Sequence, residues 1–299
     1  MQTVDSASVI HVLTKRIGLP LQEMSDTIQT GDFWDTVVRN FAENAGVLEP
    51  SLLRSLVERL RAALHEEGVD LTRQRQHLTP EEVTSVNKVL CTVNLQLVER
   101  DAGMELTGTP YMRDPSTSDE TLVNAGFLFC WLLSTNLDVR SVCLEGTLLL
   151  TRLPSVIKVG LSSNATVRKI TVCVWDDDSE KHGSCLAEGL HPQLPLEVYF
   201  NRGLELTEQS AALIAETFKG CCATLKEVHM TNGPQRRPNQ KNILLLLEAL
   251  TESCKLTTLH LYGYGLGRKG GEILARISLP FIYTATVWGG KEVKFWRGF

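Results

Sequence analysis

A short apolar pattern that returns at near-constant intervals limits what this chain can fold into more than any other feature. Val139-x-x-Val142-x-Leu144, Val167-x-x-Ile170-x-Val172, Leu225-x-x-Val228-x-Met230 and Leu256-x-x-Leu259-x-Leu261 all carry it. Between the second and third of these, Val198 and Phe200 keep the two inner positions, although Pro195 stands where the first apolar residue is expected. Val142, Ile170, Val198, Val228 and Leu259 are thereby 28, 28, 30 and 31 residues apart. Apolar residues two apart predict a short strand with one buried face. Between the strands the spacing changes to three and four, as in Leu186, Ala187 and Leu190, in Ala211, Ile214, Ala215 and Phe218, and in Ile243, Leu244, Leu247 and Leu250, which predicts helices. Each period is then one strand followed by one helix. Units of this size cannot bury their apolar faces alone and must stack on their neighbours.

The fullest unit runs from Leu256 to Ala275 and adds Leu266, Gly270, Ile273 and Leu274 to the strand pattern. It resembles a leucine-rich repeat of the ribonuclease-inhibitor type, a class with repeats of about 28 residues and a helix on the convex side. The resemblance covers roughly residues 90–288. It implies an α/β solenoid with parallel strands on a concave face and helices on a convex one. The repeats are degenerate, because Thr147, Trp175, Gly203, Gly233 and Tyr264 replace the family's Asn after the strand. That substitution predicts the loss of the hydrogen-bonded Asn ladder.

Outside the repeats the reading is coarser. Residues 1–78 are expected to be a helical N-terminal region and linker. Asp5 or Ser6 can cap a helix through Arg16, another can start at Pro20, and Phe33, Trp34, Val37, Val38 and Phe41 give a third an aromatic face. From Ser51, Leu52, Leu53, Leu56, Leu60, Ala63 and Leu64 share one helical side. Residues 68–78 are polar and aperiodic, as a linker would be. The region serves either as a cap on the array or as an adaptor domain in front of it. The solenoid is expected over 79–299, opening with a helix capped by Thr79 with Pro80 at its first position. Leu90-x-x-Val93-x-Leu95 fits the strand pattern, and the alternating runs Asn94–Val98 and Met104–Thr107 around Asp101 and Gly103 predict a hairpin inserted in the first repeat. A helix follows over Leu122–Leu133. Residues 280–299 read as a β-hairpin, with strands at 281–288 and 291–296, that caps the C-terminal end.

The chain has 299 residues, 43% apolar and 22% charged, so it can bury a sizeable core. A net charge of -5 gives no general basic footprint, which argues for a protein partner over nucleic acid or an anionic membrane. The N-terminus carries no basic segment followed by an apolar run, and no stretch is long and apolar enough to span a bilayer, so a cytoplasmic location is expected. Eight scattered cysteines without a CxxC pair predict reduced, packed thiols. Asn164-Ala-Thr166 fits the glycosylation pattern but reads as a loop before a strand.

Motifs that could carry chemistry have simpler readings. Gly265-Leu-Gly267-Arg-Lys-Gly270 matches the dinucleotide fingerprint, but only 29 residues follow Gly270, too few for the remaining units of such a fold. No Walker sequence, G-x-S-x-G or H-E-x-x-H occurs. His182 lies three residues from Cys185, and Cys185 adjoins the core position Leu186. The basic run Arg236, Arg237 and Lys241 and the acidic run Asp176–Asp178 read as solvated loop segments. No catalytic residue, cofactor or metal ligand is therefore expected. What remains is the strand surface. The residues expected on the concave face of the last three strands include Tyr199, Asn201, His229, Thr231, His260 and Tyr262, which are predicted to bind a protein. The expected function is a non-catalytic protein-interaction scaffold. The alternatives are the substrate-recognition subunit of a ubiquitin ligase and an activator of a small GTPase.

Overall fold

A computed structural model describes residues 58–60, 62–68, 78–101, 103–109, 117–134, 138–162, 164–174, 179–232, 240–277, 283–287 and 291–295. The helices expected before residue 58, most of the linker, and the loops holding Asp176–Asp178 and Arg236–Arg237 lie outside these residues.

The helix expected at Thr79 is α1 (Pro80–Leu90). The Thr79 hydroxyl accepts from the Glu82 amide at 3.3 Å, and the Glu82 carboxylate accepts from the Thr79 amide at 2.7 Å. Two otherwise orphaned donors are thus satisfied reciprocally. After one 3-10 turn (Cys91–Val93) come β1 (Leu95–Arg100) and β2 (Gly103–Gly108), which pair antiparallel as the inserted hairpin. Leu90 and Val93 are not strand residues, although both are fully buried. Leu90 ends α1 and Val93 sits in the turn, because the capped helix runs into the positions where a strand was expected.

The remaining elements alternate. They are α2 (Asp119–Ser134), β3 (Val139–Cys143), the short α3 (Leu148–Arg152) with α4 (Pro154–Ser162), β4 (Lys169–Cys173), α5 (Ser179–Gly189) and β5 (Val198–Arg202). Then come α6 (Glu208–Gly220), β6 (Glu227–Thr231), α7 (Gln240–Leu250), β7 (Thr258–Tyr262), α8 (Gly267–Leu274), β8 (Tyr283–Val287) and β9 (Lys291–Phe295). The described strands form one open sheet of nine in which chain order is spatial order. β2 to β8 run parallel, and β1 and β9 add an antiparallel strand at each end. The C-terminal hairpin therefore extends the sheet.

Register places Val142 beside Ile170, and Val228 beside Leu259, as expected. In β5 the partner of Ile170 and of Val228 is Tyr199, so the expected row through Val198 is wrong by one residue. The template in fact begins at Leu196, which is fully buried, and Tyr199 and Asn201 take its two inner positions.

Apolar residues on one side of β1 to β7 are buried in one core with the helices, so over these strands the helices cover one face and leave the other open. Small residues let the helices approach. A Cβ on Gly160 of α4 would meet Phe129 of α2 at 2.8 Å, and one on Gly189 of α5 would lie 3.0 Å from the Lys158 backbone. Lys158, only 3% exposed, pairs with Glu188 across α4 and α5. Side chains also tie neighbouring turns. The Thr147 hydroxyl donates to the Val93 carbonyl at 3.0 Å, and Asn232, one residue before Gly233, donates to the Gly263 carbonyl at 3.3 Å. These bonds supply part of what a regular Asn ladder would. Asn164 is buried before β4, where its side chain accepts from the amides of Thr166 and Val167.

At the N-terminal end, Leu60 and Leu64 of the helical residues 58–60 and 62–66 join the same core, and Glu67 pairs with Lys88 at 2.9 Å. Asn87 of α1 exchanges two hydrogen bonds with the Leu97 backbone, at 2.6 and 2.9 Å, and so occupies the outer edge of β1. No helix among the described residues is long and apolar enough to cross a membrane.

Candidate functional site

The open face of the sheet is set by register. One row across the parallel strands runs Cys143, Thr171, Phe200, His229 and His260. A second, two residues further along each strand, runs Cys173, Arg202, Thr231 and Tyr262. On the other side, Ser141, Lys169, Val198, Glu227 and Thr258 form a third.

His229, Thr231, His260 and Tyr262 all lie on this face, where they were expected, and Tyr262 is 48% exposed. Tyr199 and Asn201 do not. Both are fully buried on the helix-facing side. Tyr199 packs edge-on against Phe218 of α6 with ring centroids 5.3 Å apart, and burial pushes its phenol pKa well above the ordinary value. Asn201 accepts from the Leu204 amide at 3.2 Å and so shapes the turn after β5. The one-residue shift that buries them turns Phe200 and Arg202 outward. The pattern missed those two because Val198 and Phe200 are the apolar letters of the segment. The signal that finds them is Leu196, one place after Pro195.

Phe200, His229 and His260 stack in series across three strands. The first two centroids are 5.1 Å apart with planes 23° from parallel, and the second two are 5.8 Å apart at 30°. The Arg202 guanidinium lies 5.7 Å from the Phe200 centroid. Below the rings, Glu227 sits 3.5 Å from His229 Nε2. Glu197, at the entry to β5, is bound by Lys226 and by Arg168 at 2.5 and 2.6 Å. The bond from Lys226, aided by Arg168 and opposed by partial burial, holds its carboxyl below the usual range. The face thus carries planar, polarisable rings beside one guanidinium on a rigid backbone.

The other candidate motifs lie elsewhere. His182 and Cys185 are both buried in α5, and desolvation pushes the Cys185 thiol up to about 11, which disfavours the nucleophilic thiolate. Gly265 and Gly267 adopt φ of +56° and +58°, and a Cβ on Gly270 would come within 2.5 Å of the Leu266 Cβ. The turn into α8 accounts for all three glycines of the dinucleotide-like motif. Among the described residues no three His, Cys, Asp or Glu side chains group as a metal site, and all eight cysteines are free thiols.

Compared with known proteins, the chain matches no family model, no curated protein and no solved structure.

Proposed function

We propose that this chain is a degenerate leucine-rich-repeat protein of the ribonuclease-inhibitor-like type, working in the cytoplasm as a non-catalytic scaffold. It binds a protein partner through the open face of β5 to β7, which in such an array is the concave side. The repeat reading is supported by the in-register residues Val142, Ile170, Tyr199, Val228 and Leu259, which fall 28, 29, 29 and 31 residues apart. The observation that carries the function is the stacked row Phe200–His229–His260 on an unpartnered sheet face. Backbone-paired strands hold these rings in place, so a partner meets large flat groups that lose little conformational freedom on binding.

The test is affinity enrichment from cells with the full chain, with a His260→Ser/Tyr262→Ser variant, and with an Arg268→Ser/Lys269→Ser control on exposed α8. The face variant is expected to lose specific partners that the control keeps. Its stability should change by less than about 0.5 kcal/mol at exposed Tyr262 and by no more than about 1 kcal/mol at half-buried His260. Retention of every partner by the face variant overturns the reading.

A further inference from the structure

We propose that the partner presents an extended acidic segment to this face, with two carboxylates about four residues apart and an aromatic side chain between them. The proposal rests on the reading above. It starts from the charges that the fold leaves uncommitted. Elsewhere the described cations are commonly neutralised, as in Arg140–Asp138 at 2.6 Å, Arg168–Glu197 at 2.6 Å and Lys241–Glu208 at 2.6 Å. On the open face Arg202 and Lys169 are exceptions, and among the described residues neither has a carboxylate within ion-pair distance. Among the described residues the partner of the Arg202 guanidinium is the Phe200 ring, which occupies one of its faces and none of its N–H donors. Two acids beside this face already have partners. Glu105 bonds Arg100 at 3.3 Å and Ser141 at 3.1 Å, and Glu227 faces His229.

Geometry then selects the ligand. Lys169 pairs in register with Val198, four residues before Arg202 on the neighbouring strand. Four strand residues and one strand spacing separate the two cations by about 14 Å, the reach of four to five residues of extended chain. Phe200 lies between them, at the head of the stacked row. An extended segment can therefore place one carboxylate on Lys169, another on Arg202, and an aromatic ring on the row. A lone guanidinium beside an aromatic ring matches the single charge and planar oxygens of a carboxylate, which it can bind in a bidentate way. In a chain of net charge -5, two cations with no carboxylate partner among the described residues also attract an acidic segment to this face over other surfaces.

The test is selection of a displayed library of random peptides on the full chain, followed by affinity measurement on the selected peptides. The expected outcome is enrichment of sequences with two acids about four apart and an aromatic residue between. Arg202→Gln and Lys169→Gln should each weaken those peptides about 10- to 100-fold, as loss of a charge-assisted hydrogen bond does. Enriched peptides that lack acids, or that ignore both substitutions while losing affinity for His260→Ser/Tyr262→Ser, overturn this inference and leave the scaffold reading standing. Peptides indifferent to every substitution on the face overturn both. A phosphoserine peptide that binds better than its glutamate counterpart overturns the choice of carboxylate.

Discussion

Tyr199 places a phenol in a slot that the other strands fill with Ile170, Val228 and Leu259, and its ring meets Phe218 in the core. Its hydroxyl is buried, and among the described residues it makes no hydrogen bond of good geometry, Asn201 being the polar side chain that acts on it. The ring and the hydroxyl therefore make opposite contributions. Replacement by Ser removes a buried aromatic side chain and should destabilise by about 3–5 kcal/mol. Tyr199→Phe keeps the ring, loses a hydroxyl whose contact with Asn201 is at most weak, and should stay within about 1 kcal/mol of the parent, or above it. Urea denaturation of the two variants measures both, and equal losses would show that the hydroxyl rather than the ring holds the site. The same residue explains where the sequence misleads. Tyr and Asn are poor core letters, so a reading by hydropathy slides β5 by one and puts Val198 and Phe200 inside. Sterically the slots accept them, since Leu196 and Leu204 bracket the pair and Asn201 finds the Leu204 amide. His229, Thr231, His260 and Tyr262 were legible because β6 and β7 carry unbroken aliphatic patterns. Arg202 was not, because its exposure follows only from the corrected register.

Individual elements were readable wherever a cap or a strict period marked them. The Thr79 capping box, the hairpin around Asp101 and Gly103, and the apolar α2 all appear where their local chemistry places them. What local patterning does not reveal is how helices are joined laterally. Lys158 stands among apolar neighbours on α4, and its pairing with Glu188 links two successive units through a contact 30 residues apart in sequence. Because Lys158 is 3% and Glu188 20% exposed, removing the carboxylate leaves a cation in a poorly solvated place. Glu188→Leu should thus destabilise toward the lower end of the roughly 3–5 kcal/mol seen when a buried pair is broken. Lys158→Met combined with Glu188→Leu should recover most of the loss, since the pair is replaced by groups suited to the site. Thermal unfolding of the two variants checks this. If the double variant is no better than the single, the pair makes a net favourable contribution that apolar packing does not replace.

Across the whole molecule, each strand pairs only with its neighbours in the chain, and each helix packs mainly on the next. Stability in such an arrangement is carried by unit-to-unit interfaces, so damage at one site should fade with distance along the sheet. Leu259 is a suitable probe, because it is 2% exposed in β7 and pairs in register with Val228 of β6. Leu259→Ala opens a cavity in the shared core and should destabilise its unit by about 2–5 kcal/mol. Amide hydrogen exchange on the full chain should then show protection lost most in β7 and in the adjoining strands β6 and β8, less in β4 and β5, and least in β2 and β3. The open sheet is the reason for expecting a gradient, since no strand closes it and its two ends communicate only through every unit between them. A uniform loss of protection from β2 to β8 would mean that the nine strands open as one cooperative body, and that the near-regular spacing reports sequence periodicity without energetic modularity.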